Sequence, residues 1–311
     1  GDNTAIGTNA LCSNTTASNN TAVGKAALKV NTTGTQNVAV GRNAGDANTE
    51  GTNNVALGDS ALSSNTTADG NTAVGRASLH SNTTGTRNTA VGNDALFTNT
   101  TGNENASFGN LSLDANTTGC KNNAFGDSAL TANTSGCCNV AVGNAALSSN
   151  TTGCRNTAIG INASTSNQTG CCNVSVGAFS LEQNSTGCCN VAVGILSLNR
   201  NTTANNNVAV GHASLDQNTT GHTNVAIGNN ALDANTTGCK NTAVGRHALS
   251  SNTTANNNTA IGCGAMIANT EGADNVAVGK DSLVTATTGV NNTAVGASSA
   301  LRLTTGSQNA M

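Results

Sequence analysis

The chain has no Trp, no Tyr and no Pro, and only 4 Phe in 311 residues. A globular core built on aromatic anchors is therefore not open to it. Charged residues make up 9% and the formal net charge is −3, against about a quarter charged in an ordinary soluble domain. This excludes a polybasic arm and leaves no electrostatic footprint for nucleic acid. No apolar run approaches the ~18 residues needed to cross a bilayer, so membrane insertion is not expected. The opening GDNTAIG has no signal-peptide layout, but a chain that starts on Gly says little about secretion. Low charge with abundant Asn, Thr and Gly is a composition shared with disordered chains. The regular aliphatic columns described next argue against disorder.

What is present is one phrase, repeated. Asn71 to Arg87, NTAVGRASLHSNTTGTR, is copied with a step of 17 and no insertion or deletion, giving 18 copies over residues 3–308. The tail 309–311 lies outside that count. A short period held so strictly marks a solenoid, in which each copy buries its apolar residues only by stacking on the next. It overrides the two-domain expectation that length alone would give, and a single continuous repeat domain is expected.

Numbering the repeat from its leading Asn, column 1 is always Asn and column 5 always Gly. Column 3 is Ala except at Ser107 and Ser175, column 4 is always apolar, and column 8 is Ala or Ser. Column 9 is Leu in 14 copies, and column 12 is Asn until Ala286 and Leu303 replace it. Apart from Asp2, Glu50 and Glu271, every charged residue falls in columns 6, 7, 10, 11, 16 or 17. Those columns are expected to face water, and the apolar or small ones to face the inside or a neighbouring chain.

A helix is excluded, because an obligatory Gly, two obligatory Asn and a Thr-Thr pair leave no helical stripe. Columns 1–5 read as a short strand with β-branched residues at columns 2 and 4. Columns 7–10 read as a second short strand around Leu. Gly at column 5 and the NTTG segment supply the corners. The expected fold is all-β: a parallel β-solenoid of 18 stacked rungs spaced at about 4.8 Å. Val74 and Leu79 are expected to line its interior, with Gly75 at a corner and Asn71 and Asn82 stacked as ladders. A rod with so little apolar content per rung is expected to be an oligomer.

The phrase Asn-Thr-Ala-Val-Gly, Ala-Leu, Asn-Thr-Thr-Gly resembles repeats in phage and giant-virus tail-fibre proteins. It is also similar to the shorter NSVAIG-type repeats in the heads of YadA-like trimeric adhesins. The resemblance covers nearly the whole chain. It implies a trimer of parallel β-rolls forming a stiff fibre or adhesin stalk. The repeat of 17 is longer than the adhesin-head repeat, and the 11 Cys are foreign to most such fibres.

The cysteines cluster. Column 16 holds Cys120, Cys137, Cys154, Cys171 and Cys188 in consecutive copies, then Cys239; column 17 holds Cys138, Cys172 and Cys189. Rungs about 4.8 Å apart put same-column Cα atoms inside the disulfide range of about 4.4–6.8 Å. These nine are disulfide candidates, whereas Cys12 and Cys263 lie elsewhere. Metal-type CxxC spacing is absent. Disulfides would place the protein on a virion, at a cell surface or outside the cell.

Column 12 opens an Asn-x-Ser/Thr sequon in 14 copies, including Asn65, Asn82, Asn99 and Asn150. Each could read as an N-glycan acceptor or as a rung of an Asn ladder. Asn48 and Asn269 keep the Asn where Glu50 and Glu271 destroy the sequon, which favours the ladder. Thr rows also invite an ice-binding reading, but column 2 mixes Thr with Val and no clean Thr-x-Thr face is written. His80, His212, His222 and His247 share no column, so no catalytic constellation assembles and no cofactor is expected. No cluster of aromatic or charged residues breaks the pattern. The expected function is a structural fibre or filament that associates with itself. The competing class is an adhesin stalk that binds a host surface or glycan.

Overall fold

The computed structural model describes all residues from 1 to 311. It comprises two compact units, Gly1–Arg155 and Asn156–Met311. Each unit contains nine three-residue strands, from Thr4–Ile6 to Val140–Val142 in the first and from Thr157–Ile159 to Thr293–Val295 in the second. Within a unit every strand pairs in parallel with the one 17 residues later, as in Thr72 with Thr89 and Val208 with Val225. The repeat length is thus the register. Column 2 donates to column 1 of the following rung (Thr72 N to Asn88 O, 2.8 Å), and column 5 donates back to column 4 (Gly92 N to Val74 O, 2.8 Å). The fold is an all-β parallel solenoid.

The strand is turned the other way from the expectation. Ala73 is fully buried while Val74 is only half-buried, and the same alternation recurs in every strand inside the stack. Column 4 therefore faces outward with column 2, and Ile6, Leu57, Phe108, Ile159 and Ile261 are exposed. Placing Val74 in the interior is corrected on that ground. The reason is space: the interior is already filled by Leu79 and the small residues of columns 3 and 8, all buried, with Asn71 and Asn82 at its walls. Successive strand residues point to opposite faces, so seating Ala inside puts both of its β-branched neighbours outside.

The second strand is also absent. Columns 7 and 9 lie in the left-handed region, as at Ala77 (φ 51°) and Leu79 (φ 50°), and column 17 joins them at Arg87 (φ 57°). The rung is one short strand closed by tight turns. Left-handed residues cost of order 1–3 kcal/mol each and persist only where the surroundings hold them. Here each is held by the rung-to-rung ladder, as when Leu79 N donates to Ala95 O at 2.9 Å and Ala77 N to Asp59 O at 2.9 Å. At Gly75 the requirement for Gly is absolute: φ is 131°, and a Cβ would collide with the carbonyl of Gly92.

The asparagines are the polar half of the interior. Asn71 accepts the backbone N–H of Asn88 on Oδ1 (2.9 Å) and donates from Nδ2 to Gly85 O (2.9 Å). Asn82 donates from Nδ2 to Asn65 Oδ1 (3.0 Å) and to the same Gly85 O (2.9 Å). The column-15 carbonyl thus takes a hydrogen bond from each ladder. Where the column-12 ladder ends, at Ala286, the buried Oδ1 of Asn269 is left without a partner. The polar exceptions to the core are paired too: Ser164, in a Leu column, donates to Ser175, in an Ala column, at 2.8 Å. The tail is not outside the repeat, because Asn309 N donates to Asn292 Oδ1 (3.1 Å) and Ala310 bridges to Thr293.

This inversion generates a direct test. Leu147→Ala opens a cavity at a fully buried site and is expected to cost about 2–5 kcal/mol. Val142→Asp, on an exposed side chain, should leave the fold of a single chain nearly unchanged. Denaturant unfolding of both variants checks this, and equal losses would contradict the outward placement of column 4.

Candidate functional site

Three groups of residues outside the ladders carry chemistry: the thiols, the column-10 carboxylates and a groove on the first unit. The thiols come first because their positions are set by the backbone. In many rungs the N–H of the column-16 residue is accepted by the column-16 side chain of the next rung. Thr52 N donates to Asp69 Oδ1 at 2.7 Å, Thr86 N to Asn103 Oδ1 at 2.7 Å, and Cys188 N to Asn205 Oδ1 at 2.6 Å. Sulfur fills the same role where Cys120 N donates to Cys137 Sγ (3.1 Å), Cys137 N to Cys154 Sγ (3.1 Å) and Cys171 N to Cys188 Sγ (3.2 Å). His222 N approaches Cys239 Sγ in the same way at 3.4 Å.

All eleven cysteines are thiols in this structure. Cys120 and Cys137 are brought together with their sulfurs 3.0 Å apart. That hydrogen bond, reinforced by burial, pushes the Cys120 thiol up to about 11. Cys138, Cys172 and Cys189 are exposed and turned away from the half-buried column-16 row by their left-handed backbones. Burial, with Cys172 beside it, pushes the Cys189 thiol up. Cys12 and Cys263 stand apart and exposed.

The sequon asparagines resolve in favour of the ladder. Asn65, Asn82, Asn99 and Asn150 are fully buried, and each Nδ2 donates twice, as Asn99 does to Asn82 Oδ1 (2.8 Å) and Gly102 O (3.0 Å). Both N–H bonds of that nitrogen are used, which leaves no room for a glycan in the folded rung. The column-13 hydroxyls are likewise engaged, Thr83 Oγ1 donating to Thr100 O at 3.1 Å.

Column 10 is half-buried rather than open to water. Asp46, Asp114, Asp216 and Asp233 all occupy it, and burial pushes each carboxyl above its ordinary value. Sequence reasoning also missed a groove of about 520 Å³ on the first unit, where columns 6, 7 and 10 of successive rungs meet. Arg42 grips Asp59 through Nε (2.7 Å) and Nη2 (2.9 Å). Arg76 donates from Nε to Asn93 Oδ1 (2.8 Å) and from Nη2 to Asp94 Oδ2 (3.0 Å). The rings of His80 and Phe97 stack with centroids 5.0 Å apart. Asp114 contributes a buried Oδ1 that has no partner. The available signal was the crowding of Arg42, Asp59, Arg76, His80, Phe97 and Asp114 into five successive copies, hidden because no single column holds them.

The column-10 carboxyls make stability depend on pH with a definite sign. A carboxyl raised on folding binds its proton more tightly in the native state, so its stabilisation is present at low pH and lost as pH rises through the raised value. Asp59, lowered by its hydrogen bond to Arg42, acts in the opposite sense but only on entering the ordinary carboxylate range and below. Melting temperature should therefore rise as pH falls from 7 toward that range. Changing all four column-10 aspartates to Asn should flatten the profile, and an unchanged slope would refute the assignment.

No protein-family model and no curated protein matches this chain, so its function is argued from its own residues.

Proposed function

We propose that this protein is a structural fibre element whose outward sheet face is covered by further copies of the same chain. One observation carries the reading. Columns 2 and 4 present two parallel rows of Val, Thr, Ile and Phe with no charged residue in any copy, and many of these side chains are exposed. Nine rungs at about 4.8 Å and a width of about 10 Å give an uncharged patch on the order of 400 Å² per unit, the size that marks interaction sites. Phe108 and Phe125 stack on it with centroids 4.9 Å apart. The charged residues, of the kind that guard exposed sheets against association, fall almost entirely in columns 6, 7, 10, 11, 16 and 17 and never on this face. The resemblance to fibre and adhesin-head repeats implies three copies, and a trimer with the sheet faces inward would bury both rows.

In an oxidising setting such as a virion or cell surface, the thiol rows would reinforce the fibre. Two neighbouring thiols lose two protons and two electrons to an external oxidant and form one S–S bond. Cys120 and Cys137, with their sulfurs 3.0 Å apart, are one such pair. A loop of this length contributes about 3 kcal/mol in the loop-entropy model. Blocking free thiols under air, then mapping peptides without reduction, should recover these residues as linked peptides. Recovery of Cys120 and Cys137 as blocked thiols would remove the staple from the proposal.

Assembly is tested separately. Sedimentation of the full chain should give a mass of three chains, and the combination Val142→Asp, Val193→Asp and Val210→Asp should release folded monomers, judged by an unchanged β-type circular dichroism spectrum. A wild-type monomer, or a variant that still assembles, would overturn the reading; a mass other than three chains would overturn the trimer.

A further inference from the structure

The groove on the first unit is not required by the stacking. Ion pairing between rungs accounts for Arg42 with Asp59 and for Arg76 with Asp94, as it does for Arg87 with Glu104 at 3.2 Å. It does not account for Phe97 and Leu111 among them, since columns 10 and 7 mostly hold polar or small residues. Asp114, whose Oδ1 is buried without a donor as that of Asp233 is in the same column, lines the groove beside them.

The groove offers groups of three kinds. Both arginines are held through Nε and Nη2, and the Nη1 of each makes no hydrogen bond within the chain, so each brings an unused donor to the groove lining. Asp114 lines the groove, and with its Oδ1 buried it is the other carboxylate oxygen that serves as acceptor there. His80 and Phe97 present a ring surface between them, with His80 Nδ1 occupied by Ser81 Oγ at 3.4 Å. The cavity of about 520 Å³ lies within the range of about 300–1,000 Å³ usual for small-ligand sites.

These groups discriminate among ligand classes. An anion such as a phosphate would need net positive charge, but each arginine is already neutralised by its own aspartate. A simple ammonium would engage Asp114 and leave two arginine donors idle. A ligand that donates, accepts and carries a C–H face satisfies all three kinds at once, since a hydroxyl is both donor and acceptor. We propose that this groove is a binding site for a neutral, polyhydroxylated ligand, a mono- or disaccharide, that lies against Phe97, accepts from Arg42 and Arg76 and donates to Asp114. The site goes beyond the fibre reading and does not rest on it, because all its residues belong to one unit of one chain. An open groove of this size binds weakly alone, and several copies on one fibre would raise the effective affinity by avidity.

The test is saturation-transfer NMR on the full chain with methyl hexosides, methyl N-acetylhexosaminides, neutral disaccharides and one sulfated disaccharide as probes. At least one neutral saccharide should receive saturation, and its affinity should fall tenfold or more in Phe97→Ala and in Arg76→Ala. Phe125→Ala, on the outward sheet face, should bind as wild type. Phe97→Leu keeps an apolar filler at column 10 and serves if the Ala variant does not fold; it should lose affinity as well. No transfer to any neutral probe, equal binding in the groove variants, or preference for the sulfated disaccharide would each overturn the proposal.

Discussion

A carboxamide buried inside a single rung cannot satisfy itself. Asn71 and Asn82 each need a donor or an acceptor from the rung before or after, because their partners lie 17 residues away. Leaving such a group unpaired costs of order 1–3 kcal/mol, so one isolated rung is penalised and a stack is not. The same amides aim two N–H groups at the Gly85 carbonyl, which holds the NTTG corner against the strand. The corner and the strand are therefore coupled through side chains, and the left-handed turns between them are tolerated because both ends are tied.

The period, the strand within columns 1–5, the Gly corner and both Asn ladders were legible in the sequence, since columns 1, 5 and 12 hold one residue type in all or nearly all copies. Which side of the strand faces in was not. Period-2 alternation says that columns 2 and 4 share a face, but it does not say which face is the core, and hydropathy alone selects Val over Ala. The answer depends on the width of the interior, which becomes known only once Leu79, Asn71 and Asn82 are placed together. The missing second strand had a signal that hydropathy does not carry. Columns 7 and 9 contain no Val, Ile or Thr in any copy, and column 17 only Thr223. β-branched residues are those least able to adopt positive φ, so their exclusion from three columns outlined the left-handed turns.

The candidate site was less legible for a related reason. Column-by-column reading compares a residue with its equivalents, whereas a groove is lined by different columns on neighbouring rungs. Arg76 and His80 are unremarkable within columns 6 and 10, and form a set with Phe97 only when the turn brings those columns side by side. The thiols show the converse. Column 16 was visibly enriched in Cys, but the structural reason lies in its other occupants. Asp69, Asn103 and Asn205 accept the same kind of backbone N–H that Cys137 and Cys154 accept, so sulfur here is first an acceptor that stacks. Oxidation would draw on a row already assembled for another purpose.

Because the register equals the repeat, length in this protein comes in whole steps. Deleting or duplicating 17 residues anywhere inside the stack returns every Asn to a neighbouring Asn and every Gly to its corner, so the chain can grow or shrink without a new fold. A gain or loss of one residue misaligns the ladders on one side of the change against those on the other. Recombination between near-identical copies would then act as a length gauge with one rung as its smallest division, about 4.8 Å per event.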